Sequence, residues 1–387
     1  MKLPDVVVEG KENGEGMIIR SQTGKGTEIY GLGIPNVYTD SDWSLGPTWC
    51  YLIMGGKKTL IDTGRFGNHE MFKSLLKTIH LDVSDIDRII ITHSHEDHDG
   101  NLAEIKGSSK AELWAHQLYH AMISYHPNID EGATHPELPG SCRFCPMPEN
   151  VRNDCLSYHR ERSSVTIDVA VKDNFEVRED QLLFIHTPGH TPDSIGIILE
   201  GEVFFTGDTL LPDITPHPSL ANFFDSNCSI FPEEFRKGNS IYGLMNYIKS
   251  LRRIAEQFSK PFPFTFPAHR LFFNNRFNLI HHASERAEEI IRFHMDRCMD
   301  ILKIAAQPPS TIEDIAARHF PTRLLKGLGK NLAIDEISAH IEILEECEDV
   351  QWTGPEKNTI QPTGTKHFLD RLGVYLNSPI HTLDSTP

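Results

Sequence analysis

Positive charge is what this sequence has too little of. Its 37 lysines and arginines face 54 aspartates and glutamates, a formal net charge of −17. Such a balance speaks against general electrostatic binding to DNA or RNA, which needs clustered cations to neutralise phosphates. Long apolar runs are missing too, and no stretch approaches the roughly 20 apolar residues that a membrane helix requires. The first residues, "MKLPDVVVEGKENGEG", lack the apolar h-region of an export signal. Cysteine is sparse and odd in number, seven in 387 residues, which suits a reducing compartment better than a disulfide framework. Together these absences predict a cytoplasmic globular protein with neither nucleic acid nor membrane as its partner.

What is present is enough apolar content, 39%, to bury a large core in two or three structural units. The first half reads as short β-rich runs, "DVVVEG", "GMIIR", "GTEIYGLGI", "TWCYLIMG" and "KKTLIDTG", separated by turn residues. "NHEMFKSLLKTIH" has helical spacing, and "DRIIITHSH" and "AELWAHQ" read as strands. Residues 126–164 break this pattern, being rich in Pro, Gly and Cys and longer than an ordinary connection. Strands resume with "VTIDVAVKD", "QLLFIHTPGH", "SIGIILEG" and "EVFFTGDTL", followed by a helix around 233–258 and then "FPFTFPAHR". A long amphipathic helix is expected from about 276 to 305. Beyond it, "STIEDIAARHF", "AIDEISAHIEILEECED" and "VQWTGPEKNTIQPTG" read as helix, helix and hairpin, a small winged-helix-like unit. Such a unit can cover apolar surface or support a homodimer. The expected division is 1–275 for the first unit and 276–387 for the second.

The chemistry concentrates in "IITHSHEDHDG", where His93, His95, Asp97 and His98 fall within six residues after an apolar strand. Crowded imidazoles and a carboxylate repel and solvate unless a divalent cation turns that repulsion into binding. Three more candidates stand where other apolar strands end: His190 in "HTPGHTPDS", Asp208 in "FFTGDTLLP" and His269 in "TFPAHR". Five histidines and two aspartates are enough to hold two divalent ions. Nitrogen and carboxylate donors suit Zn²⁺, while Fe²⁺ and Mn²⁺ remain acceptable.

The order H-x-H-x-D-H, then G-H, T-G-D-T and P-A-H resembles that of the metallo-β-lactamase-fold superfamily. The resemblance implies an α+β fold, an αββα sandwich, here followed by the C-terminal all-α/winged-helix-like unit. It implies that His93, His95 and His190 hold a first ion and Asp97, His98 and His269 a second, with Asp208 bridging. Asp97 would also orient a nucleophilic water that the two ions render acidic, so Asp97 and Asp208 are the catalytic candidates. His95 stands where the oxygen-reducing flavodiiron branch has glutamate. No cysteine lies near His190 or Asp208 as in the class B lactamases. The long tail resembles the lactamase-like subgroup with a C-terminal winged helix, which is similar to glyoxalase II relatives.

The implied activity is therefore metal-dependent hydrolysis of a small-molecule thioester or ester. A single-strand ribonuclease or phosphodiesterase of the same fold, and a mono-iron persulfide dioxygenase, stay open as alternatives. His282 and Arg286 match an H-x-x-x-R pattern that this subgroup carries near its site, or else belong to an ordinary solvated helix face. The 126–164 segment reads as a lid. Cys142, Cys145, Cys155 and His159 there have the donor count of a structural Cys₃His zinc site, or form a reduced loop with incidental thiols.

Overall fold

The computed structural model describes residues 3–36, 43–124, 157–258, 260–307, 310–354, 356 and 358–376. Adjacent residues in its central strands point into different cores, and that alternation builds the molecule in layers. The first sheet runs in chain order through β1 (Asp5–Val8), β2 (Ile18–Gln22), β3 (Glu28–Ile34), β4 (Thr48–Met54), β5 (Lys58–Ile61), β6 (Arg88–Ile91), β7 (Glu112–His116) and β8 (Val169–Val171). Its first five strands are antiparallel and the last four pair in parallel. Ile18, Leu60, Ile89 and Ile91 pack on the outer face with Phe72 and Leu76 of α1 (His69–Thr78) and with Leu102 and Ile105. Their neighbours Ile19, Ile61 and Ile90 face inward instead. A period of two on a sheet covered from both sides produces the unbroken apolar runs seen in the sequence.

The second sheet has the order β13-β12-β11-β10-β9, formed by β9 (Phe175–Val177), β10 (Leu182–His186), β11 (Ile195–Leu199), β12 (Val203–Gly207) and β13 (Phe264–Pro267). Phe184, Ile197, Phe205 and Phe266 meet Trp49, Tyr51 and Ile90 between the two sheets. Phe204 and Ile198 point the other way, onto the helix Leu244–Gln257 and the long helix Ala283–Ala305. The layers are therefore helix, sheet, sheet and helix, the αββα order that the motifs implied. Among the described residues no helix is long and apolar enough to cross a membrane.

The apolar cluster under the second sheet continues without a break into the C-terminal elements. It takes in Ile315 of Ile312–His319, Ile337 and Leu344 of Leu328–Glu346, Ile360 of the hairpin β16 (Val350–Thr353) and β17 (Thr359–Pro362), and Phe368. The first of these helices opens on a capping box in which Thr311 and Asp314 satisfy each other's backbone N–H groups. Two expectations need correction. The helix read around 233–258 begins only at Leu244, after a separate turn at Glu233–Phe235. The long helix starts at Ala283 and not near 276, because residues 272–277 form a tight hairpin, β14 (Phe272–Phe273) with β15 (Arg276–Phe277). Asn274 and Asn275 take φ of 53° and 58°, the left-handed pair that a two-residue hairpin turn demands.

A terminal helix, His367–Gly373, completes the unit and has an unusual cap. The buried Asp349 carboxylate, from the turn before β16, accepts from the backbone N–H of His367 at 2.7 Å and of Phe368 at 2.8 Å. It also accepts from Thr365 Oγ1 at 2.7 Å. Asp349→Ala leaves these donors without their acceptor, so it is expected to destabilise the chain by about 2 kcal/mol. Chemical denaturation of the two proteins side by side checks this, and an unchanged midpoint contradicts it.

Candidate metal centre

Each sequence-predicted ligand is delivered by the end of a strand. β6 ends at Ile91, so His93 and His95 follow in the loop and Asp97 and His98 lie on the short helix Glu96–Asp99. Asp208 and His269 come off β12 and β13, which are adjacent and parallel and so discharge at the same sheet edge. His190 follows β10 through Gly189, whose φ is 125°. A Cβ there would stand 2.2 Å from the backbone nitrogen of Tyr247, so only glycine admits this approach.

The structure brings all seven residues together, in two cups. In the first, His95 Nδ1 lies 3.1 Å from His93 Nε2 and 3.1 Å from His190 Nε2. In the second, His269 Nε2 is 3.1 Å and His98 Nε2 3.7 Å from Asp97 Oδ2. Asp208 stands between them, with Oδ2 3.5 Å from His190 Nε2 and Oδ1 3.5 Å from His98 Nε2 and 3.4 Å from His269 Nε2. One carboxylate thus offers an oxygen to each cup.

The donor set fits divalent ions. A single proton on His95 Nδ1 can satisfy at most one of the two nitrogens beside it, whereas a cation satisfies all three. Zinc–nitrogen bonds of about 2.0–2.1 Å in a tetrahedral site place neighbouring nitrogens about 3.3 Å apart, close to the spacing found. His98 Nε2, His269 Nε2 and Asp208 Oδ1 are buried without any hydrogen-bond partner. Burial and the neighbouring His190 push His95 down to about 3, which keeps its ring neutral and its lone pair available. Burial by itself would raise Asp208, but the His269 and His98 rings outweigh it and hold the carboxyl below its ordinary value.

An outer ring of hydrogen bonds aims these side chains. His190 Nδ1 donates to the His217 carbonyl at 2.5 Å, which turns its Nε2 towards the centre. His269 Nδ1 donates to the Pro47 carbonyl at 3.2 Å. Asn36 Nδ2 donates to Asp97 Oδ2 at 2.7 Å. His98 Nδ1 donates to Asp62 Oδ2 at 2.9 Å, and the same carboxylate accepts from the Thr92 hydroxyl and backbone N–H, both at 2.8 Å. Asp62 escaped the sequence reading. Its signal was there in "TLIDTG", an aspartate closing an apolar strand like Asp208, but it stands alone and far from any histidine.

A second unforeseen group lies behind the cluster. Asp99 accepts from Tyr119 at 2.7 Å, Tyr158 at 2.5 Å and Arg162 at 3.2 Å, and Arg162 also donates to the Ser94 carbonyl at 2.9 Å. This buried knot ties residues 158–162 to the loop between His93 and His95. Arg286 plays a related part. It donates to the carbonyls of Leu211 at 2.7 Å and Ile214 at 3.0 Å, bracing the loop that follows Asp208. His282 stands at the head of the long helix and belongs to neither cup. Cys142, Cys145 and Cys155 lie outside the described residues, so the structure is silent on a zinc shared with His159.

Comparison with known proteins agrees with this geometry. The model of the metallo-beta-lactamase superfamily matches residues 43–256. The chain belongs to that superfamily. The enzyme class is accordingly that of a metal-dependent hydrolase. A relative from Drosophila melanogaster, "Beta-lactamase-like protein 2 homolog", is 24% identical over 298 residues, covering 74% of this chain and 84% of its own. "Atrochrysone carboxyl ACP thioesterase" from Passalora fulva is 26% identical over 213 residues, 53% of this chain and 51% of that protein. A beta-lactamase domain protein from Burkholderia ambifaria shares the fold at a TM-score of 0.64 and 18% identity, covering 93% of this chain and 98% of its own.

The outer ring yields a prediction. Asp62→Asn keeps the side chain's size and tolerates the left-handed backbone at φ 59°. It removes the charge that holds His98, so divalent-ion affinity is expected to fall about 10- to 100-fold. Competition with a chromophoric chelator measures this, and unchanged affinity contradicts the role given to Asp62.

Proposed function

We propose that this chain cleaves a thioester or ester with two divalent ions, Zn²⁺ foremost, held by His93, His95, Asp97, His98, His190, Asp208 and His269. The observation that carries the reading is Asp208, whose two oxygens face separate cups. Two ions held there would supply Lewis-acid polarisation of an acyl oxygen and a water acidic enough to lose its proton near neutral pH.

The protein's own share is position and charge. Asp208 fixes the separation of the two cups. Asp97, held by Asn36, keeps an acceptor oxygen at the second cup, where it can orient a water for attack. His190 and His269, each tied to a carbonyl through Nδ1, cannot rotate their Nε2 atoms away. Six of the seven side chains are buried and His95 alone faces solvent, so charge interactions inside the cups are strengthened while one side stays open.

A thioester suits this arrangement because a thiol of pKa about 8.5 leaves as thiolate with little help from a general acid. The thioesterase relative supports the same class, at low identity and over half of each chain. The net charge of −17 weighs against polyanionic RNA as substrate.

Two outcomes are expected. Asp208→Asn removes the charge shared by both cups and should lower kcat/KM by at least about a hundredfold, in line with losing one preorganised group at a reacting centre. Its fold should persist by circular dichroism, and full activity would sink the mechanism. In a screen of the zinc-loaded protein, acyl thioesters should release free thiol, while single-stranded RNA and phosphodiesters stay intact. Efficient RNA cleavage beside inert thioesters would give the site to a nuclease. Oxygen uptake with a single bound iron would give it to an oxygenase.

A further inference from the structure

Three polar side chains meet in the apolar core of the C-terminal unit, apart from the seven-residue centre. His294 comes from the helix Ala283–Ala305, and Glu336 and His340 from Leu328–Glu346. His294 and His340 are fully buried and Glu336 is 6% exposed. They are set among Ile290, Ile291, Ile337, Ile341 and Leu344, a setting in which polar groups without partners are costly. Glu336 and His340 are four residues apart on one helix, so they share a face one turn apart, and His294 reaches them from the facing helix.

Their arrangement repeats that of the first cup. His294 Nδ1 is 3.0 Å from His340 Nε2, against the 3.1 Å spacings among His93, His95 and His190. A donor atom from each of the three residues lies within 4.8 Å of the other two. His340 Nδ1 bonds the Glu336 carbonyl at 2.7 Å, and because a carbonyl only accepts, Nδ1 carries the proton. Nε2 is therefore a lone pair aimed into the cluster, the orientation that a carbonyl partner gives a metal-binding histidine. His294 Nε2, the other nitrogen of that ring, is buried with no hydrogen-bond partner.

The carboxylate is also steadied from outside. Arg297 Nη1 donates to Glu336 Oε1 at 2.9 Å, with its guanidinium 4.6 Å from the Phe293 ring centre and 5.2 Å from that of Phe320. An arginine held between two aromatic faces cannot swing in to replace a cation. It fixes Glu336 Oε1, which stands 3.8 Å from His340 Nδ1. Two imidazoles and one carboxylate are a donor set of zinc type.

We propose that His294, Glu336 and His340 form a separate divalent-cation site of zinc class that bolts the helix Ala283–Ala305 to the helix Leu328–Glu346. The site lies on helices and takes no ligand from the catalytic centre. Its role is to stiffen the unit that packs beneath the second sheet.

Ion counting tests the proposal on the full-length chain. Wild type, His340→Gln, Glu336→Gln and the double variant His93→Ala/His95→Ala are stripped with chelator, dialysed against Zn²⁺ and assayed for metal by mass spectrometry. His340→Gln is expected to hold one ion per chain fewer than wild type, whatever the number at the catalytic centre. Adding His340→Gln to the His93→Ala/His95→Ala variant is expected to remove one further ion, because the second cup is intact in both proteins. Equal metal content in folded wild type and His340→Gln overturns the site. If His340→Gln does not fold, Glu336→Gln decides, because glutamine retains an oxygen for Arg297. Its extra ion should be lost to competing chelator at least tenfold more readily, and wild-type retention overturns the proposal.

Discussion

A single carboxylate holds the arrangement together. Asp208 places one oxygen against His190 and the other against His98 and His269, and those three rings arrive from three separate parts of the chain. Five imidazoles and two carboxylates, all but His95 buried, repel or strand one another unless something of opposite character lies among them. Everything around the centre serves that constraint. The parallel pair β12 and β13 brings Asp208 and His269 to one edge, Gly189 lets His190 come close to Tyr247, and Asp62 holds His98 from behind.

The C-terminal unit takes part in this more closely than a separate module would. Arg286, on its long helix, grips the loop after Asp208, and the His217 carbonyl in that same stretch sets the direction of His190. The apolar cluster beneath the second sheet carries on into Ile337, Ile360 and Phe368. Changes in the C-terminal helices therefore have a short mechanical route to a first-cup ligand. A substrate-binding role for the C-terminal helices is not needed to explain why these residues pack there.

Residues 158–162 work from the opposite side. Tyr158 and Arg162 converge on Asp99, which sits next to His98, and Arg162 takes the Ser94 carbonyl between two ligands. Removing a buried charge partner from such a knot costs more than the knot contributes, because the remaining charge is left uncompensated. The chain leaving the 126–164 segment is thus fastened to the metal loop itself. Any movement at this end of the segment would be felt at His93 and His95.

All seven residues of the two cups were legible in the sequence because they follow apolar strands and four crowd into one short motif. The strands themselves were legible because burial on both faces leaves continuous apolar runs. Arg276 and Phe277 read as the start of the long helix because "FFNNRF" has apolar residues at a spacing that either structure accepts, and only the left-handed backbone at Asn274 and Asn275 decides. Asp62, Asn36 and Asp99 were invisible as members of a centre, since a lone polar residue has no pattern until folding supplies its neighbour. His294 and His340 show the same limit from another side: 46 residues apart, they become partners only when two helices pack. The sequence by itself determined which chemical groups the strand ends deliver, because residue type and local periodicity are properties of short segments. Tertiary structure alone decided which nitrogen or oxygen each group presents, because a tautomer or carboxylate orientation is set by hydrogen bonds from residues distant in the chain.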